Sequence, residues 1–78
     1  METATINIDY KAIGMKIKKY RKAAGFTQEE LATVFNSDAR NIRSWESGAK
    51  IPRFDNFIAL CVILGVTPND ILVYTVNK

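Results

Sequence analysis

Three glycines cut this chain into helix-sized pieces. Gly25, Gly48 and Gly65 each follow a segment whose apolar residues fit a helix, and glycine accepts the left-handed conformation that closes a helix C-terminus. Each segment also has a starter. Asp9 caps a first helix reaching to about residue 24, in which Ile13, Ile17, Tyr20 and Ala24 recur at spacings of four, three and four and share one stripe. Thr27-Gln28-Glu29-Glu30 has the pattern of a capping box opening a second helix. Its packing candidates are Leu31, Val34 and Phe35, and Asn36, which tolerates positive φ, is a plausible end. Ser37 or Asp38 caps a third helix over residues 39–47, Asp38 being preferred, with Ile42 and Trp45 facing inward. Pro52 keeps the next segment a loop. A fourth helix, about residues 54–64, is nearly all apolar and is expected to be the central core element. Thr67-Pro68 opens a short fifth helix to about residue 73.

Only about two residues separate the second and third helices, so these must turn sharply against each other. Gly14, inside the first helix, costs about 1 kcal/mol relative to alanine; a close helix approach there would explain it. Residues 1–9 read as a flexible arm, although Thr5, Ile6 and Ile8 favour extended backbone. Residues 10–73 form one domain. Residues 74–78 form a tail in which Tyr74-Thr75-Val76 alternates weakly.

At 78 residues and 47% hydrophobic, the chain can bury one small core but has little room for a catalytic cleft. It has no histidine, which excludes Ser-His and Cys-His nucleophile pairs and histidine metal sites. Its four scattered glycines make no phosphate loop. No enzyme activity, cofactor or metal is expected. Cys61, alone in an apolar run, reads as a small buried residue. No apolar stretch reaches the ~18–20 residues of a membrane span, and residues 1–9 lack the features of a signal peptide; the expected location is cytoplasmic. The net charge of +3 says little by itself, but Lys11, Lys16, Lys18, Lys19, Arg21 and Lys22 follow one another with no acid between.

The block GFTQEELATVFNSDARNIRSWESGAKIP, residues 25–52, carries the functional signal. Thr-Gln-Glu-Glu-Leu-Ala opens the second helix, an isoleucine sits inside the third, Trp-Glu-x-Gly ends it, and a proline follows four residues past that glycine. A long apolar helix and Leu-Gly-Val-Thr-Pro-x-x-Ile-Leu come next. Over residues 13–72 the chain resembles the Cro/repressor-type helix-turn-helix family, also called XRE. The resemblance implies an all-α, five-helix, lambda-repressor-like DNA-binding domain with its helix-turn-helix at helices two and three. The family's turn usually carries glycine and then a buried aliphatic; here it carries Asn36 and Ser37.

The residues support that reading independently. Ala32 is small where the second helix should cross the third, and Leu31, Ile42 and Trp45 can fill the angle between them. The outward face of the third helix is then polar, and such a helix fits a major groove about 12 Å wide. Ala39, Arg40, Asn41, Arg43 and Ser44 are the base-reading candidates: arginine suits guanine, asparagine suits adenine, and Ala39 offers only a methyl contact. Phosphate contacts are expected from Thr27 and Gln28, whose backbone N–H groups open the second helix, and from Lys50 and Arg53. The resemblance assigns Arg21 and Glu46 to a partly buried ion pair joining helices one and three. The resemblance also implies double-stranded DNA as partner and a repressor; because one such helix reads only a few base pairs, a homodimer on a pseudo-palindromic operator is expected, meeting near helices four and five with or without the terminal segments. An antitoxin or protein-interaction module would use the same fold, with a protein partner.

Overall fold

The computed structural model describes residues 4–77. The order of elements is β1 (Thr5–Ile8), α1 (Tyr10–Ala23), α2 (Gln28–Val34), α3 (Ala39–Ser47), α4 (Phe54–Leu64), α5 (Pro68–Ile71) and β2 (Tyr74–Asn77). Local chemistry sets the helix ends. The Asp9 carboxylate accepts the Ala12 N–H at 3.0 Å. Thr27 and Glu30 complete their capping box in both directions, at 3.0 and 2.8 Å. Asp38 caps α3 by accepting the N–H groups of Arg40 and Asn41. Gly25, Gly48 and Gly65 all have positive φ, and Asn36 is the only other described residue that does, at 53°. There it lets the Ser37 N–H reach back to the Ala32 carbonyl at 2.9 Å and close α2.

The core is built where α1 and α2 meet α3. Ile13, Ile17, Leu31, Ala32, Ile42 and Trp45 are buried there, with Leu60, Cys61, Leu64 and Ile71 joining from α4 and α5. Phe35 packs edge-on against Trp45, ring centroids 5.4 Å apart. The buried face of α1 runs through Ile13, Gly14, Ile17 and Arg21; Tyr20 is half-buried and Ala24 is exposed beyond the helix end. Gly14 marks the crossing of α1 and α3. A Cβ placed on it would lie 2.6 Å from the Trp45 carbonyl oxygen and closer still to that of Glu46. No side chain fits there, which explains a glycine inside a helix. Burial pushes the Cys61 thiol pKa upward, and the nearby charge of Asp70 adds to it.

Several expectations change. The fourth helix is not the central element: its inner face buries Leu60, Cys61 and Leu64, while Phe54, Ile58 and Val62 are exposed on the other. A helix apolar on every side gives no periodicity from which to read its facing. Val34 is exposed rather than packed. α5 ends at Ile71, two residues short of its expected end. Where residues 1–9 and 74–78 are described, the arm and tail are largely two paired strands. Thr5, Ile6, Asn7 and Ile8 lie opposite Asn77, Val76, Thr75 and Tyr74 in an antiparallel ladder. The Asp9 N–H donates to the Val73 carbonyl at 2.9 Å, pinning the two ends together beside the cap of α1. Residues 1–3 of the arm and residue 78 of the tail lie outside the described residues.

Candidate nucleic-acid interface

α3 is held from behind by a buried polar junction. Arg21 and Glu46 are both buried. Arg21 Nε lies 2.5 Å from Glu46 Oε2, and its Nη2 donates to Oε1 at 3.2 Å. Its Nη1 donates to the Phe26 carbonyl at 2.8 Å, just past the end of α1. Gln28 Nε2 donates to Glu46 Oε1 at 3.0 Å, bringing α2 into the same junction. Among the described residues no buried side-chain nitrogen or oxygen lacks a partner. One carboxylate on α3 therefore fixes that helix to both α1 and α2, which suits a helix that must keep its orientation against a ligand.

The opposite side of α3 is open. Arg40 and Arg43 are exposed, and Ala39, Asn41 and Ser44 are half-buried at the flanks. An open depression of about 420 Å³ is lined by Ser37, Asp38, Arg40, Asn41, Ser44 and Lys50. Three base-reading candidates and one phosphate candidate thus share a surface, whereas Ala39 and Arg43 lie outside its lining. Lys50 is placed there by its own backbone, whose N–H donates to the Ser44 carbonyl at 3.2 Å. Arg53 stands apart at the N-cap of α4, its Nε 3.7 Å from Asp55 Oδ1 and both side chains largely in solvent.

Two features of this surface were not legible beforehand. Ser37, which replaces the family's aliphatic anchor, accepts a hydrogen bond from Asn41 Nδ2 at 3.2 Å, so the turn orients a side chain on the open face. Asp38, besides capping α3, lies 3.4 Å from Arg40 Nη2. Partial desolvation pushes the Asp38 pKa upward, but N–H donation from Asn41 and Arg40 and the Arg40 charge outweigh it and hold the carboxyl below its usual range. This acid pairs with Arg40 on the open face.

At the start of α2 one expectation needs correction. The Thr27 N–H is taken by the Glu30 carboxylate and is not free for a phosphate. That hydrogen bond, followed by the one from the Thr27 hydroxyl, lowers the Glu30 pKa. The side-chain amide of Gln28 is engaged with Glu46.

A short helix clamped from behind, with a polar and basic outer face and a tight turn before it, defines a helix-turn-helix DNA-binding protein. The helix-turn-helix family model HTH_3 matches residues 17–71, most of the chain, and the protein belongs to this XRE-type family of DNA-binding regulators. Among solved structures, the restriction-modification controller protein C.AhdI from Aeromonas hydrophila is similar at 25% identity and a TM-score of 0.72, over 81% of this chain and 96% of that one. The clp gene regulator ClgR from C. glutamicum shares the fold at 24% identity and a TM-score of 0.72, over 80% of each chain. No curated protein matches the sequence. Among the described residues no helix is long and apolar enough to cross a membrane.

Proposed function

We propose that this protein is a sequence-specific regulator of transcription that lays α3 in the major groove of double-stranded DNA and acts as a repressor. The observation that carries the reading is the division of α3 into two sides. Ile42, Trp45 and Glu46 are buried, while Arg40, Asn41 and Ser44 open with Lys50 onto one depression. Arg40 and Arg43 have the donor geometry for guanine, Asn41 that for adenine, and Ala39 and Ser44 complete the reading set. Lys50 and Arg53 set the register on phosphates. At the start of α2, Gln28 contributes its backbone N–H, and Thr27 acts through the cap it forms. Membership of the helix-turn-helix family of regulators supports a role in gene control.

A single short helix reads few base pairs, so the operator is a pseudo-palindrome bound by two copies with half-sites about 34 Å apart. The exposed Phe54, Ile58 and Val62, spaced i, i+4, i+8 on α4, support a dimer surface on that flank. Selection from a random DNA pool, repeated at two salt concentrations, tests the reading. The expected product is a short inverted repeat whose affinity falls steeply with salt. Sequence-blind enrichment, or no binding at low salt, would reject it; the second result would point to a protein partner of the antitoxin kind.

A further inference from the structure

The strand pair has no counterpart in the family-matched segment, since both strands lie outside residues 17–71. Its register places Ile6 opposite Val76 and Ile8 opposite Tyr74, so four apolar side chains share one face, and Thr5, Asn7, Thr75 and Asn77 share the other. Among the described residues nothing covers the apolar face: Ile6 is 62% exposed and Tyr74 57%. Neither strand packs extensively on a helix. An isolated two-stranded ribbon is marginally stable in water, and this one carries no charged residue and no proline, the usual protections of an open sheet.

The apolar face also continues into that of α4. Val73 packs against the core, so its neighbours Leu72 and Tyr74 point outward, both exposed. Leu72 lines an apolar hollow of about 260 Å³ together with Ile13, Ile51, Pro52, Phe54 and Phe57. Phe54, 79% exposed, begins the row that ends at Val62, 76% exposed. One apolar surface thus runs from α4 through Leu72 to the ribbon.

We infer that the ribbon is a self-association surface: its apolar face packs on the same face of a second copy and extends the α4 contact into one interface. This inference rests on the dimeric reading above. Size argues for it. Taking roughly 100 Å² for a fully bared apolar side chain, the α4 flank of Phe54, Ile58 and Val62 with the adjoining Ile51 and Leu72 offers about 290 Å², and the ribbon about 200 Å² more. A standard interface of about 800 Å² per partner, some 60% apolar, needs about 480 Å² of apolar surface, which the two together supply and α4 alone does not. Shape agrees. A two-fold axis lying across the strands sets the bulky Ile8–Tyr74 pair of one copy over the smaller Ile6–Val76 pair of the other. The absence of charge on the strands disfavours nucleic acid or an anionic surface as the occupant.

The test is sedimentation equilibrium of the full chain, alongside binding to a full palindrome and to a single half-site. The variants are Ile6→Thr with Val76→Thr, which keep strand propensity, and Tyr74→Thr alone should the double variant lose helical circular dichroism. The wild type should be a dimer. The ribbon variants should dissociate about tenfold or more readily and lose a similar factor on the palindrome, with half-site affinity unchanged. A ribbon variant that dimerises like the wild type, or a wild type monomeric both free and on the palindrome, would overturn the inference. Failure of the wild type to bind any half-site would instead remove the DNA reading and leave the sedimentation result standing.

Discussion

The junction of α1, α2 and α3 and the flank formed by α4 and the ribbon use opposite chemistry. At the junction two charged groups are buried and hydrogen-bonded, Arg21 to Glu46 and Phe26, and Glu46 to Arg21 and Gln28. On the flank, Phe54, Val62, Ile6 and Tyr74 are apolar and bare. Buried charge is tolerable only when paired, and bare apolar surface is costly only in water. The first region is complete within one chain and fixes geometry. The second is left bare in the single chain, and the proposed dimer would cover it.

The contrast is broken most forcefully at Glu46. Replacing it by alanine leaves Arg21 buried without its counter-ion, and the expected loss is about 3–5 kcal/mol, much of the total stability of a small domain. Thermal unfolding measures it, and an unchanged melting temperature would show the junction to be dispensable. Gly14→Ala comes next. Its methyl group would meet the backbone of α3 within 2.6 Å, so the helices must separate, at about 1–3 kcal/mol; a stabilised variant would contradict the close crossing. Thr27→Ala removes one cap and should cost about 1 kcal/mol. The same cap has a pH signature. Because folding lowers the Glu30 pKa from 4.5, its contribution is present above that value and fades as pH falls through the lowered one. The Glu30→Gln variant, which has no carboxyl to titrate there, should therefore show a shallower acid limb. On the flank, Val62→Gln should leave melting nearly unchanged when the protein is dilute, within about 0.5 kcal/mol.

Features with a local cause were legible in the sequence. Asp9, Thr27, Asp38 and Thr67 start helices by side-chain geometry within three residues, and Gly25, Asn36, Gly48 and Gly65 mark their ends by positive φ. Features that depend on distant pairing were not, apart from the Arg21–Glu46 pair, which only the family resemblance supplied. The two strands are four residues each and meet across nearly the whole chain, and so short an alternation carries little signal of its own. The hydrogen bond from Asn41 to Ser37 and the engagement of Gln28 with Glu46 needed the angle between α2 and α3, which residue identity leaves open. The outward face of α3 was legible because the inward residues Ile42 and Trp45 fix its facing by helical spacing, and α4 offered no such contrast.

The central claim is that one side of α3 reads bases while neighbouring cations only hold the backbone. The most direct measurement compares Arg40→Ala and Arg43→Ala with Lys50→Ala on the operator and on single-base variants of it, at several salt concentrations. The account predicts that each arginine variant loses about 1–3 kcal/mol and relaxes preference at its own base position. The Lys50 variant should weaken all sequences alike and reduce the salt slope by about 0.9. Arginine variants that keep the full base preference while changing only the salt slope would contradict it.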